Sequence, residues 1–95
     1  MDKHTSLLGK SDYDLRLIAG DATHQHYKGG LYKLLGPLKD SATGEPVLAP
    51  DGSTMLVYEH CYPHAREYWQ RPASEFYEDV HIDGGYNGPR FRSIR

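Results

Sequence analysis

Seven residues of this chain combine a cationic or imidazole group with flat aromatic faces: His26, Tyr27, Lys28, Tyr32, Trp69, Arg71 and Arg90. Arginine and lysine pair with phosphate or carboxylate, while tyrosine and tryptophan rings stack on bases or pack against aliphatic groups. Together they would suit a shallow pocket for a compact anion, such as a nucleotide or related phosphate. The residues come from distant stretches of the chain, so the pocket exists only if the first turn and the tryptophan strand lie side by side. The competing reading is structural. Trp69, Tyr32 and Phe76 would then form the core, and Arg71 would spend its guanidinium on backbone carbonyls or Glu75.

Other chemistry is weaker. His24, His26, His60, Cys61 and His64 include a His-x-His pair and a Cys-x-x-His pair, donors that zinc accepts. The four-ligand spacing of a structural zinc site is missing, and histidines in a soluble chain are mostly surface or hydrogen-bonding residues, so no metal is expected. Cys61 with His60 or His64 is the sole thiol arrangement on offer, and sequence neighbours are seldom posed for nucleophilic catalysis. Glu75, Glu78 and Asp79 read as solvated charges. With no serine elbow, P-loop or zinc-protease helix, the expectation is a binding module without catalytic residues or cofactor.

Ninety-five residues argue for one domain around one core. Eight tyrosines against two phenylalanines and one tryptophan imply a core that reaches the surface, because each hydroxyl wants a partner or water. The formal charge of −2 provides no general field towards nucleic acid or an anionic membrane. A local bias exists, since Arg90, Arg92 and Arg95 follow a run of Glu75, Glu78, Asp79 and Asp83; we read it as strand-pairing charge plus a small basic edge. Cys61 is the single cysteine. No signal-peptide pattern or long apolar run is present, so a cytoplasmic setting, bacterial or viral, is expected.

The elements that must position these residues are short. Residues 1–22 are set apart as an N-terminal extension. Within it Leu15, Ile18 and Ala19 have helical spacing, with Ser11 or Asp12 as cap and Gly20 as stop. From residue 23 to 95, brief apolar runs alternate with Gly, Pro, Asp and Ser, as in small barrels and sandwiches. Thr23 to Lys28 and Leu31 to Leu38 form a hairpin across Gly29 and Gly30, with Gly36 and Pro37 at a bulge or strand end. Asp40 to Pro46 and Ala49 to Ser53 are turns. Thr54 to His60 is the central strand. Cys61 to Glu67 is a loop that delivers Tyr68 and Trp69 into the fold, and Arg71 and Pro72 end that strand. Pro72 opens a single helical turn to Phe76. Tyr77 to Ile82 and Pro89 to Ile94 are the last strands, joined through Gly84 to Gly88.

The stretch His26-Tyr27-Lys28-Gly29-Gly30-Leu31-Tyr32, then Leu35-Gly36, then Trp69 before Arg71-Pro72 with Phe76 following, and the ending Pro89-Arg90-Phe91-Arg92 resemble the small bacterial family known as domain of unknown function 1653. The likeness spans about residues 22 to 95 and implies a compact β domain; it implies no activity. Relative to that pattern the segment Ala49 to Glu67 is long. Taken together, these readings predict a mainly β fold, a small SH3-like barrel of five or six antiparallel strands with one short helical turn and a short N-terminal helix. The partner is a small anionic ligand or, alternatively, a protein or peptide met by exposed aromatics and the 49–67 loop. Nucleic acid is a lesser expectation, a membrane is not expected, and strand edges with tyrosine allow a homodimer.

Overall fold

The structure is a computed structural model and describes residues 3–95. Its helices are α1 (Asp12–Ile18) and α2 (Ala73–Phe76), after a 3-10 turn at Thr5–Leu7. The strands are β1 (His24–His26), β2 (Leu31–Pro37), β3 (Met55–Tyr62), β4 (Glu67–Pro72), β5 (Asp79–His81), β6 (Asn87–Pro89) and β7 (Phe91–Ser93). All pairing is antiparallel: five strands form one sheet in the order β4-β3-β2-β1-β7, and β5 pairs with β6 in a separate hairpin. The fold is thus mainly β, as expected. Among the described residues no helix is long and apolar enough to cross a membrane.

Alternation along the strands divides the sheet into two working faces. One is covered by the N-terminal segment. Leu7, Leu15, Ala19 and Ala22 form a core cluster with Leu31, Cys61 and Ile94. Leu15 is wholly buried, a contribution of about 1.5 to 3 kcal/mol for a leucine side chain removed from water. Helix α1 starts where Ser11 Oγ accepts the amide of Asp14 at 3.1 Å. Asp12 and Asp14 lie at its positive end and Arg16 in its last turn. Arg16 donates to the carbonyl of Ile94 at 2.5 Å, Arg92 pairs with Asp12 at 2.7 Å, and Arg95 donates to the carbonyls of Ala22 and Gly20. Of the C-terminal arginines read as strand-pairing charge plus a small basic edge, Arg92 and Arg95 therefore fasten β7 and the chain end to the N-terminal segment.

The other face carries the rings. Leu56, Tyr58, Phe76 and Phe91 form the second core cluster, with Tyr32, Leu34 and Ala73 packed against it. Phe76 and Phe91 stack with centroids 4.3 Å apart and planes 6° from parallel, and Tyr58 meets both edge-on. The short helix exists to bring Phe76 here. Pro72 is the last residue of β4 and the N-cap rather than the first helical residue.

Several boundaries differ from expectation for identifiable reasons. The described residues form seven short strands because Arg90 breaks the last one: its amide donates to Glu78 while its carbonyl accepts from Tyr27, so it turns the chain from the hairpin into the main sheet. The segment 49–67 is not one loop, since β3 runs through Cys61 to Tyr62 and leaves only short connections on either side. Tyr68 and Trp69 do not enter the interior; they are 71% and 50% exposed, because β4 is an edge strand with a neighbour on one side only. Ile82 lies past the end of β5, in the turn, and Val80 alone is partly buried there. Leu35 sits at the bulge where Leu34 pairs with Tyr58 and Gly36 with Val57.

Candidate functional site

Cross-strand registry brings the candidate residues together on the ring-bearing face. Tyr58 faces Trp69, Leu56 faces Arg71, Tyr32 faces His60 and His26 faces Phe91. Tyr32, Tyr58, Trp69 and Arg71 line one cleft of about 210 Å³. Arg71 Nε donates to the Tyr58 hydroxyl at 3.3 Å, and Nη1 approaches Glu75 at 3.5 Å. Among the described residues Nη2 has no partner. The Arg71 side chain is 30% exposed, so it keeps a charged edge available to a ligand. Burial, with Tyr58 next, raises the Tyr32 phenol above its ordinary range, which keeps that hydroxyl a donor.

His26 sits beside this cleft, its ring 6.1 Å from Tyr32 and 5.0 Å from Phe91. Burial first, then the charges of Arg90, Lys28, Arg71 and His4, push its pKa down to about 4. His26 is therefore neutral at physiological pH, and its Nδ1 accepts the amide of Lys28 at 3.1 Å. The same downward shift marks three separate cations acting on one ring: Lys28, Arg71 and Arg90 create a positive locality in a chain of formal charge −2.

The expected set divides at its margin. Arg90 is engaged, donating from Nε to the Glu75 carbonyl at 3.2 Å and from Nη2 to the Glu78 carboxylate; it adds charge and anchors α2. Tyr27 stacks on Tyr86 at 5.7 Å and, together with His26, borders a different cavity, with Leu8, Gln25 and Arg92. Lys28 Nζ lies 5.8 Å from the Tyr27 ring centroid. Sequence reasoning missed Tyr58, whose place in an apolar strand suggested core alone. It also missed His4, which joins His60 and His64, weighed in the sequence only with Cys61 and the His24–His26 pair; with Tyr32, Glu67 and Trp69 these three line an adjoining cavity of about 300 Å³. The distance of His4 from the other two in the chain left no spacing signal.

The thiol arrangement does not assemble. Cys61 belongs to the core beneath α1, while the neighbouring His60 packs among rings on the opposite face. Burial, with Asp21 nearby, raises the Cys61 pKa. Nor do His24 and His26 converge on a common point: His24 bonds Thr23 at 2.7 Å and meets Phe76 edge-on.

Three of the buried or half-buried imidazoles, His24, His26 and His60, are held below their ordinary pKa of 6.5, in each case mainly by burial. The unfolded chain binds protons at these sites first. Stability should therefore be full above about pH 6.5 and fall as the pH drops towards 4 and below. His26 accounts for about 1 to 2 kcal/mol of that loss after allowance for solvent screening at a half-exposed ring. Thermal melts from pH 7.5 to 4.5 check this: His26→Leu should flatten the profile, and an unchanged slope in that variant contradicts the assignment.

Fold and cleft together define a small antiparallel β domain that presents an arginine among aromatic rings on one sheet face. Residues 22–93 match the family described as protein of unknown function (DUF1653), and the chain belongs to that family. No curated protein and no solved structure matches the chain significantly. The family region begins at the last residue of the segment that supplies Leu7, Leu15 and Ala19 to the core, so residues before the family region help to build this domain's hydrophobic interior.

Proposed function

We propose that the protein is a non-catalytic binding module for a compact anionic ligand, a nucleotide or related phosphate, held at the cleft of Tyr32, Tyr58, Trp69 and Arg71. The observation that carries this reading is the half-buried Arg71, part of whose guanidinium is uncommitted among rings on the cleft wall. Phosphate meets that guanidinium through charge-assisted hydrogen bonds, and a base stacks on Trp69 or Tyr32. Lys28 and Arg90 reinforce the local potential, and His26 borders the site. At about 210 Å³ the cleft lies below the roughly 300 to 1,000 Å³ usual for drug-sized ligands, which favours a small occupant. We further read the architecture as SH3-like. Supporting this, the β5–β6 hairpin is linked to the main sheet through both backbone groups of Arg90, and α2 closes over Tyr58 and Phe91.

A thermal-shift panel of nucleotides and inorganic phosphates tests the binding reading. A ligand at ten times its Kd adds about 1.4 kcal/mol, so the Tm should rise by roughly 5 °C or more. Arg71→Ala should weaken binding tenfold or more, the scale of a lost charge-assisted bond. Stabilisation that survives Arg71→Ala would place the ligand elsewhere.

A second reading rests on a separate observation. The exposed edge strand β4 presents Tyr68 beside a shallow depression lined by Leu38, Val57, Trp69 and Gln70, where an extended peptide could add a strand. A silent nucleotide panel, together with a partner retained by wild-type bait and lost by Tyr68→Ser, would favour it.

A further inference from the structure

His4, His60 and His64 meet in the cavity next to the arginine cleft. Their ring centroids are 4.5 Å apart for His4–His64, 5.4 Å for His4–His60 and 5.8 Å for His60–His64. Three imidazoles bound to one tetrahedral ion at 2.0 to 2.1 Å have centroids about 5 Å apart. The three rings thus share one small space, although their donor nitrogens do not all lie within 4.8 Å of one another and must converge when an ion binds.

His60 provides the independent observation. It is 6% exposed, and its Nε2 is buried with no hydrogen-bond partner among the described residues. On the other side of the ring, Nδ1 lies 3.4 Å from the carbonyl of Ala65. With the proton on Nδ1, facing that carbonyl, the Nε2 lone pair is left bare. A ring N–H given to a backbone carbonyl is the arrangement that fixes the tautomer of metal-bound histidines. A buried acceptor without a donor otherwise carries a desolvation cost of about 1 to 3 kcal/mol, and a cation at Nε2 removes it. His4 is held in position by the Gly29–Gly30 turn, where a Cβ on Gly30 would come within 2.7 Å of its ring. His64 is exposed on the connection between β3 and β4 and has room to adjust. Glu67, the registry partner of His60, brings a carboxylate to the same cavity.

We propose that His4, His60 and His64 bind a first-row divalent metal ion of the zinc type, with Glu67 beside it. Imidazole donors with a carboxylate favour Zn²⁺ and its neighbours over Mg²⁺ or Ca²⁺. Three protein ligands leave a fourth position open towards the cavity. The site does not depend on anion binding at Arg71. A competing group, Asp21, Glu59 and Cys61, has its charge already taken up: Arg66 bonds Asp21 at 2.8 and 2.9 Å and Glu59 at 3.2 Å.

Untagged protein stripped with chelator and titrated calorimetrically with ZnCl₂ at pH 7.5 tests the site, with Co²⁺ absorption as a parallel readout of coordination. One ion per chain is expected. His64→Ala and His4→Ala, each checked for retained fold by circular dichroism, should weaken binding tenfold or more, while Cys61→Ser and His81→Ala leave it unchanged. Three outcomes overturn the proposal. They are no saturable binding below millimolar zinc, binding lost in Cys61→Ser but kept in both histidine variants, or several weak sites to which His81 contributes equally.

Discussion

Phe76→Ala should cost about 3 to 5 kcal/mol, the range for deleting a buried phenylalanine ring, and lower the Tm by more than about 12 °C in a domain of this size. The reason is its position. Phe76 is wholly buried, stacks on Phe91, meets Tyr58 and His24 edge-on, and is the side chain by which the four-residue helix α2 holds to the sheet. Its loss removes ring contacts on both sides and opens a cavity beneath the Arg71 cleft. A domain with total stability of about 5 to 15 kcal/mol would lose a large share of it. Phe76→Leu should cost much less, because most of the volume remains. Chemical denaturation of both variants measures the difference, and a loss below about 1 kcal/mol for Phe76→Ala would mean that the second core cluster does not govern this face.

Gly29→Ala carries the next largest expected effect. The residue has φ of +116°, and a Cβ there would overlap the backbone carbonyl oxygen of His4. Two penalties combine: backbone strain of about 1 to 3 kcal/mol, and displacement of the N-terminal segment whose Leu7 and Leu15 complete the first core cluster. A total of at least about 2 kcal/mol is expected. Gly52→Ala isolates the first penalty, since Gly52 has φ of +88° and nothing within 4 Å of its Cβ position. If both variants melt alike, the close approach of His4 to the turn is not a constraint on the fold.

The glycine pair illustrates what was legible. Two adjacent glycines after His26-Tyr27-Lys28 predict a tight turn, and a turn is there. That the same turn must also admit another segment's backbone has no local signature. Helix α1 was readable because its cap, Ser11, and its apolar spacing are both local. Its burial was not. Leu7 and Leu15 are isolated apolar residues in a polar stretch, and only the sheet face left bare by strand alternation explains why they are interior. The central strand β3 announced itself by apolar residues on both faces; Leu56, Tyr58 and His60 on one face are buried, whereas Met55 and Val57 on the other are only partly so.

At the site, residue chemistry was legible and position was not. Tyr32, Trp69 and Arg71 share a cleft because β3 lies between β2 and β4, a fact of strand order that no spacing encodes. Tyr58, in the middle of that strand, was read as core and proves to be both core and cleft floor. Arg90 and Arg92 looked alike in sequence, yet one turns towards α2 and the other towards α1, because Arg92 lies within β7 whereas Arg90 precedes it, at the turn out of the β5–β6 hairpin. Trp69 was open to two readings in the sequence, pocket wall or core. An edge strand protects only one flank of its residues, and the ring is half exposed as a result.

That exposure supplies the most direct measurement. Trp69 is the only tryptophan, and it lines the proposed cleft, so its fluorescence responds to a ligand bound there, and the Arg71→Ala variant separates that response from one arising in the neighbouring depressions. Titration with a purine nucleotide should give saturable quenching with a single Kd, weakened tenfold or more by Arg71→Ala and unaffected by Arg95→Ala. Emission that stays unchanged across the nucleotide and phosphate panel, or quenching that Arg71→Ala leaves intact, would contradict a cleft built around that guanidinium.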